Sequence, residues 1–323
     1  MARGISNRAC FLIIFSLLCI YLIWTCPQKT LSTIEKKGNN DDFRAGRNVH
    51  SISDKSRSEK ISSNPTQPQA LDDIFSYKEP PIAGRIGSYT EEMRRYDLFM
   101  ATQGVVCKNI RHFGGVYREN KGPPEFDPDG LWNLCLDREV GLTRGSCIVY
   151  SIGINDEWSF DDSIAKSFGC RVYAFDPTMN KGDHNRSQLI QFFNLGLADH
   201  DSEGKPGVSG RDGWKTRTLK SIITDLRHEK RLLDVVKIDI EWDEWKCLRQ
   251  MLSDGTLRKY VKQLDIEFHL QNRTGPGMRQ HYGMVKWLDR QGFKIVITHR
   301  NMYCVRCYET TLINTNLIKL PLR

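Results

Sequence analysis

The sequence predicts an α/β fold of the Rossmann-like kind, in which parallel strands bind a ligand at their carboxyl ends. Two successive strand signals lead to this prediction. An apolar run at 147–150 is followed by a turn containing Gly153 and by apolar residues at helical spacing over 158–168. A second apolar run, 171–175, then ends at Asp176. Strand, glycine turn, helix, strand and acid form half of a nucleoside-binding unit, and the acid is placed to accept hydrogen bonds from a ribose.

Five more apolar runs continue the sheet, with helical patterns between them. The last two runs are almost adjacent, which suits an antiparallel hairpin on an otherwise parallel sheet. Seven strands with such a pair are typical of the class I methyltransferase fold, whereas dinucleotide dehydrogenases lack the inserted antiparallel strand. The predicted strands three to seven are 189–197, 232–241, 263–270, 293–298 and 307–314, and the predicted helices between them are 218–227 and 279–291.

The N-terminus predicts a membrane anchor. Residues 9–26 carry no charge and, at about 1.5 Å per residue, span about 27 Å, which is enough for a thin bilayer. Arg3 and Arg8 precede this segment, so residues 1–8 are expected in the cytosol. An uncleaved signal-anchor makes the chain a single-pass type II membrane protein of the endoplasmic reticulum or Golgi. A cleaved signal peptide, followed by secretion, is the alternative.

Between the anchor and the first strand, two further segments are expected. Residues 27–80 are polar and aperiodic, so we predict a disordered stem. Residues 81–146 are expected to form a leader of helix and loop, in which Thr90 caps a helix and residues 112–115 form a loop. The methyltransferase-like domain then occupies 147–323.

Cysteines and sequons support an oxidising compartment. Ten cysteines are many for a cytosolic enzyme, and seven of them follow residue 26, so at least one of those seven has no intramolecular partner. Residues 185–187 and 272–274 are glycosylation sequons. We expect Cys107 and Cys135 to form a disulfide, Cys147 and Cys170 to be buried apolar residues, and the lone pair Cys304 and Cys307 to lack the further ligands that zinc needs.

The net charge of +8 does not indicate nucleic-acid binding. The basic residues are spread along the chain, and no basic patch interleaved with aromatic residues is present. A solvated surface of mixed sign is the simpler interpretation. No nucleic-acid partner is therefore expected.

Two acids near the end of the fourth predicted strand are the candidate catalytic residues. Asp239 and Glu241 lie two apart, so on a strand they point the same way and repel unless they engage a cation or a proton. In a functional role, the two carboxylates would bind a sulfonium group, bind a metal ion or transfer a proton. The alternative is a structural salt bridge with Lys237. His269 on the fifth strand is a weaker candidate base. No metal site is predicted.

The first turn separates two cofactor classes. It contains only Gly153, whereas nicotinamide sites use G-x-G-x-x-G to admit a pyrophosphate. A methionine-derived tail has no such phosphate, so the turn favours S-adenosyl-L-methionine. Asp199, after the third strand, is expected to face the base or to form a turn, and Asp137 is expected to approach the site from the leader.

Three segments resemble the FkbM-type methyltransferase family, and within it the methyltransferase-like protein 24 group of membrane-anchored or secreted animal proteins. They read VYSIGINDEWSFDDSIAKSFGCRVYAFDPT, VVKIDIEWDEW and QLDIEFHL, and the resemblance covers residues 89–315. Ser151 stands where the family usually has an acidic residue, and Trp242 where it usually has glycine. By this resemblance Ser151, Gly153 and Asn155 form the cofactor loop, Asp176 takes the ribose, and Asp239 closes the pocket.

The resemblance implies methyl transfer from S-adenosyl-L-methionine to a hydroxyl oxygen of an unknown acceptor, a glycan or a small molecule. Two other functions stay open. A Golgi glycosyltransferase shares the type II layout, and 239–241 imitates its metal-binding D-x-D. The second open function is that of a luminal binding protein that keeps the methyltransferase fold but has no catalytic activity.

Overall fold

The computed structural model describes residues 84–116, 129–301 and 303–323, all of them within one compact unit, Gln69–Arg323. The predicted cytosolic tail, anchor and stem, residues 1–80, lie outside the described residues. In the part of the chain that is described, no helix is long and apolar enough to cross a bilayer.

The leader begins with helix α1, Tyr89–Met100, whose N-cap is Ser88. The Ser88 hydroxyl accepts from the amide of Glu91, and the Glu91 carboxylate accepts from the amide of Ser88, so a complete capping box forms. The prediction that Thr90 caps this helix is therefore wrong by two residues. Tyr96 and Met100 carry the buried face of the helix.

A hairpin follows α1 where the sequence predicts a loop. Strand β1, Ile110–Val116, pairs antiparallel with β2, Asp129–Cys135. The two glycines at 114–115 suggested a turn, but Gly114 serves close packing. A Cβ on Gly114 would lie 2.7 Å from the backbone nitrogen of Phe160, so the glycine lets the hairpin approach the helix that contains Phe160.

The first predicted unit is confirmed. Strand β3, Ile148–Ile152, leads through the glycine turn to helix α2, Ser159–Phe168, and then to strand β4, Arg171–Phe175. β3 and β4 pair in parallel. Gly169 ends α2 in the left-handed conformation with φ 66°, as its position in the sequence predicts.

The third predicted strand is shorter than expected. After the two-residue β5, His184–Asn185, strand β6 covers only Ile190–Phe193. The chain then leaves the sheet, and Gly196–Leu197 (β7) pairs with Thr216–Arg217 (β8) in a separate small sheet. The apolar run at 189–197 therefore belongs to two strands, because the chain turns at Asn194.

The C-terminal half contains the predicted strands and helices in the predicted order, together with two helices that were not predicted, Glu244–Ser253 and Thr256–Tyr260. The last predicted strand has the predicted bounds. The elements of this half are α3 (Leu219–Asp225), β9 (Leu233–Ile238), α4 (Glu244–Ser253), α5 (Thr256–Tyr260), β10 (Val261–His269), α6 (Gly275–Arg290), β11 (Phe293–Arg300) and β12 (Cys307–Asn314).

The main sheet has the order β11-β12-β10-β9-β3-β4-β6-β5. β12 runs antiparallel between β11 and β10, so the predicted late hairpin is confirmed. All seven predicted strands are present, and the edge strand β5 is an eighth that was not predicted. Because β3, β4 and β9 are adjacent and parallel, their carboxyl ends meet at one edge.

Three disulfides cross-link the described residues. Cys107–Cys135 forms as predicted. Cys147 and Cys170 are buried, as predicted, but they are not separate apolar side chains. They precede the adjacent parallel strands β3 and β4, so their side chains meet and form a disulfide that was not predicted. Cys304–Cys307 is the third, and buried Cys247 is the free thiol that the odd count required.

Candidate active site

A cavity of about 840 Å³ opens where β3, β4 and β9 end. Its wall combines apolar groups, such as Phe175 and Trp214, with several carboxylates and a few basic side chains. The structure brings six of the predicted site residues to this cavity: Gly153, Asn155, Asp176, Asp199, Asp239 and Glu241.

The glycine turn touches the end of β9. Gly153 has φ 75°, and a Cβ there would overlap the carbonyl oxygen of Asp239. Only glycine fits this contact, so the turn can close against β9 and leave the cavity open beside it. Asn155 and Asp156 continue the turn with φ 43° and 59°, a left-handed conformation that Asn and Asp tolerate better than most residues.

Asp176 ties the same turn to the end of β4. One carboxylate oxygen accepts from the amides of Ile154 and Asn155 at 3.0 and 2.8 Å. The other accepts from the amide and hydroxyl of Thr178 at 2.7 and 2.6 Å. A carboxylate has about four acceptor positions, and all four have a donor here. Asp176 therefore holds the turn, and its role toward a ribose stays a prediction.

Ser151 does not line the cavity. Its side chain is fully buried behind the turn, beside Asp161 of α2 and Lys237 of β9. Burial raises the pKa of Asp161 to about 7, although Lys237 and the Ser151 hydroxyl act in the opposite direction. The Lys237 ammonium donates to the carbonyl of Gly153 at 2.7 Å and lies over the Trp132 ring. Lys237 therefore contacts the turn. The alternative interpretation, a salt bridge between Lys237 and Asp239 or Glu241, is not found among the contacts of the described residues.

Asp239 and Glu241 do not lie on a strand, because β9 ends at Ile238. The backbone turns sharply after Ile240, since Glu241 and Trp242 have φ 52° and 80°. Such angles strain residues that carry a Cβ, and strain of this kind is concentrated at functional sites. The two carboxylates do not point the same way along a strand, but the turn still directs both toward His269.

His269, at the end of β10, is the centre of an acidic cluster. Its Nε2 lies 3.9 Å from Asp239 Oδ1, 3.6 Å from Glu241 Oε2 and 3.7 Å from Glu267 Oε2. Its Nδ1 lies 3.2 Å from Glu244 Oε1, which also accepts from the His269 amide. Burial lowers the pKa of His269, but Glu244 and the other carboxylates outweigh it and raise this pKa to about 9.

Further buried acids occupy the same face of the sheet. Asp265, Glu267 and His269 alternate along β10, and Glu309 of β12 lies directly opposite Glu267. Burial first, and then the Asp239 and Glu309 carboxylates, raise the pKa of Glu267. The alternation of charged residues in a buried run is a sequence signal for this cluster.

Two remaining predictions concern aspartates outside the cluster. Asp199 lines the cavity, and its carboxylate lies 2.7 Å from Nδ1 of its neighbour His200. Its role toward a base stays a prediction. Asp137 does not approach the cavity. Its carboxylate accepts from the amides of Lys108 and Asn109, and it fixes the turn next to the Cys107–Cys135 disulfide instead.

The chain matches one family model along most of its length: a model described as a methyltransferase domain matches residues 49–314. The protein called probable methyltransferase-like protein 24 from Rattus norvegicus is 29% identical over 238 residues, which are 69% of this chain and 61% of that protein. The protein of the same name from Homo sapiens is 28% identical over 238 residues, with the same coverage. The chain thus spans 61% of the length of these relatives.

Two solved structures show a limited similarity to part of the chain. The methyltransferase FkbM from Methylobacillus flagellatus KT is 15% identical with a TM-score of 0.35, over 52% of this chain and 44% of that one. Fibrillarin from Aeropyrum pernix, in complex with S-adenosyl-L-methionine, is 10% identical with a TM-score of 0.31, over 53% of this chain and 68% of that one.

Proposed function

The chain belongs to the family of methyltransferase domains whose model matches residues 49–314, and on this premise we propose that it transfers the methyl group of S-adenosyl-L-methionine to a hydroxyl oxygen. The observation that carries the proposal is the cavity of about 840 Å³ beside the glycine turn. This turn contains Gly153 alone, so it fits a cofactor without a pyrophosphate better than a dinucleotide.

The donor set of the cavity fits that cofactor. Asp199, Asp239 and Glu241 line it, and carboxylates complement the positive sulfonium and ammonium groups of S-adenosyl-L-methionine. Apolar side chains, including Ile152, Phe175 and Trp214, supply the surface that an adenine ring needs. When bound, the cofactor supplies an electrophilic methyl group.

The residues of this chain would act by position and charge. Gly153 and Asp176 hold the turn, and Asp239 faces both the cavity and His269. An acceptor hydroxyl between the cavity and His269 would have Asp239 and Glu241 near enough to take its proton. Holding the acceptor oxygen in line with the methyl group is the main catalytic contribution that this geometry can make.

We also propose that the domain works in the lumen of the secretory pathway or outside the cell, anchored by residues 9–26 or released from them. The three disulfides among the described residues support this proposal, since disulfides persist in oxidising compartments. Asn185, within one sequon, is exposed and so accessible to glycosylation. A glycan or a small hydroxyl compound met in that compartment is the proposed acceptor.

The test uses the full-length chain, purified under oxidising conditions. Calorimetry measures binding of S-adenosyl-L-methionine, and labelled methyl groups are then followed into hydroxyl-bearing glycans and small molecules. We expect the chain to bind S-adenosyl-L-methionine and to transfer the labelled methyl group to an acceptor. Blocking the hydroxyl of that acceptor should abolish its labelling. Absence of binding overturns the proposal as a whole. Binding with no transfer to any hydroxyl acceptor would favour the binding protein without turnover, for which the occupied carboxylate of Asp176 is the supporting observation.

The glycosyltransferase alternative receives no support from the family match. Its D-x-D interpretation rests on the spacing of Asp239 and Glu241 alone, and this acid pair comes late in the chain, after the glycine turn has opened the sheet. Transfer of a sugar from a nucleotide sugar, with no binding of S-adenosyl-L-methionine, would reinstate it.

A further inference from the structure

We propose that Cys304 and Cys307 form a redox-active disulfide, which opens and closes by thiol–disulfide exchange with an external dithiol. The disulfide joins the connection between β11 and β12 to the first residue of β12. It lies next to the end of β10, where His269 stands. This activity goes beyond the proposed methyl transfer and does not depend on it.

The two cysteines of this disulfide are not equally accessible. Cys304 is partly exposed, and its neighbour Val305 is 85% exposed. Cys307 is only 1% exposed, because it lies within the paired strand β12. Thiol–disulfide exchange requires that an external thiolate reaches one of the two sulfurs. We therefore expect the thiolate to attack Cys304 and to expel Cys307.

Cys307 lies beside groups that can stabilise it as a leaving thiolate. It is directly opposite His269 in the pairing of β12 with β10. Its sulfur, a ring nitrogen of His269 and a carboxylate oxygen of Glu267 all lie within 4.8 Å of one another. A cation or a proton donor at this distance favours the departure of a thiolate.

The protonation of these two neighbours is the one that such a step needs. The pKa of His269 is about 9, so its imidazole carries a positive charge near neutral pH. Burial raises the pKa of Glu267, also to about 9, so its carboxyl group carries a proton that it can donate. The sulfur of Cys307 thus leaves next to a positive charge and an acid.

The exchange balances in atoms and electrons. A thiolate of the external dithiol forms a bond with the Cys304 sulfur, the bond between Cys304 and Cys307 breaks, and its electron pair leaves on Cys307. That sulfur takes the proton of Glu267. The second thiol of the dithiol loses its proton to water and attacks the external sulfur of the mixed disulfide, which releases Cys304 as a thiolate. The dithiol is oxidised to a disulfide, and the cysteine pair gains two electrons.

The other two disulfides of the described residues lack this combination. Cys147 and Cys170 are 2% and 0% exposed, so an external thiolate has no approach to either sulfur. Cys107 is partly exposed, but the titratable side chain beside its disulfide is that of Asp137. A negative charge opposes the departure of a thiolate, so this disulfide is expected to exchange slowly.

The chain can keep its fold when the disulfide opens. The two cysteines are 3 residues apart, so their bond closes a short loop and constrains the unfolded chain little. Seven backbone pairs between β10 and β12, among them His269 with Cys307, do not depend on the disulfide. The Arg306 carbonyl also accepts from the Leu270 amide at 3.0 Å. Both redox states are therefore compatible with the same sheet.

The test is a time course of reduction of the folded full-length chain by dithiothreitol. Samples are quenched with acid, free thiols are alkylated, and mass spectrometry measures the opening of each disulfide, while circular dichroism shows that the chain stays folded. We expect Cys304–Cys307 to open about tenfold faster than Cys107–Cys135 and Cys147–Cys170, which are internal controls. Oxidised glutathione should close it again. Opening of all three at one rate, or of either control first, overturns the proposal.

Matched single variants test which sulfur is attacked. Cys307→Ala leaves Cys304 alone, and Cys304→Ala leaves Cys307 alone. We expect the first variant to form a mixed disulfide with oxidised glutathione about tenfold faster than the second. Equal or reversed rates overturn the assignment of Cys304 as the entry point. Thermal unfolding shows whether each variant is folded.

Glu267→Gln tests the proton donor and preserves the shape of the side chain. It should slow the opening of Cys304–Cys307 and leave the rate of Cys107–Cys135 in the same sample unchanged. An equal change at both disulfides, or none at either, overturns the role of Glu267. No assay here contains S-adenosyl-L-methionine, so failure of the exchange leaves the proposed methyl transfer untouched.

Discussion

The ammonium group of Lys237 donates a 2.7 Å hydrogen bond to the carbonyl oxygen of Gly153. A lysine that is 5% exposed thus supports the turn at the cavity from behind. The Gly153 amide donates to the carbonyl of Phe175 at 2.9 Å, so both polar groups of this peptide segment are bound to neighbouring strands. The shape of the turn therefore depends on β9 and β4 as well as on its own residues.

Lys237→Met should destabilise the chain by about 1 kcal/mol or more, because it leaves the partly buried carbonyl of Gly153 without its donor. Lys181→Met is the control. Lys181 pairs with Asp156 at 2.7 Å on the surface, and such pairs contribute under about 1 kcal/mol. Denaturant unfolding of both variants measures the difference. Equal losses in the two variants would contradict a supporting role for Lys237.

Gly153→Ala should abolish binding of S-adenosyl-L-methionine, because the new Cβ displaces the end of β9 from the turn. Gly145→Ala separates this effect from backbone strain, since Gly145 has the same φ of 75° and nothing within 4 Å of its Cβ position. We expect Gly145→Ala to cost about 1 kcal/mol and to bind normally in calorimetry. Normal binding by Gly153→Ala would show that the turn does not shape the site.

Asp161 should make stability depend on pH between about 4 and 7. Burial raises its pKa from 3.8 to about 7 in the folded chain. The folded state therefore keeps a proton that the unfolded state loses in this window, and stability falls as pH rises. Asp161→Asn removes the effect, so its gain in unfolding free energy over the parent should grow from pH 4 to 7 and then level off, reaching a few kcal/mol at most.

The neighbouring Asp162→Asn is the control for this pH series. Asp162 is half exposed and pairs with Arg186 at 2.7 Å. Its substitution should give no gain that grows with pH. A flat difference for Asp161→Asn over the same range would mean that its carboxyl is ionised throughout.

Removal of the Cys147–Cys170 disulfide by a double alanine substitution should cost about 3 kcal/mol, since its cysteines are 23 residues apart in sequence. The Cys304–Cys307 disulfide, with a separation of 3, should contribute about 1.5 kcal/mol less, because a short loop loses less entropy when it is closed. Denaturant unfolding under non-reducing conditions compares the two double variants. A larger loss for the short loop would refute the entropic argument.

The elements that local patterns determine were predictable. The apolar runs of β3, β4 and β12 and the left-handed Gly169 are properties of neighbouring residues, and the structure confirms them. The β1–β2 hairpin was missed because Gly114 is there to let the hairpin approach Phe160, which is distant in sequence. Glycines that serve packing and glycines that serve turns look the same in a sequence.

The site was predictable in its position but not in its connections. Strand order brings Gly153, Asp176 and Asp239 together, and each was identified from its place at a strand end. The left-handed angle of Glu241 cannot be foreseen, because glutamate does not prefer it. For Trp242 the resemblance held a signal, since this residue stands where the family usually has glycine. The contacts of His269 with four carboxylates depend on the register between strands and on α4, which no local pattern encodes.

The strands that frame the turn are joined at both ends, by the Cys147–Cys170 disulfide where they begin and by Asp176 and the turn amides where they finish. Asp176 makes its contacts in any surroundings, but the disulfide needs an oxidant during folding. In a sample produced in a reducing bacterial cytosol, the Cys147–Cys170 disulfide would therefore be absent and only the Asp176 contacts would join the two strands. If such a sample failed to bind S-adenosyl-L-methionine, the missing disulfide could account for the failure. The chain should therefore be produced under conditions in which disulfides form before any assay is made.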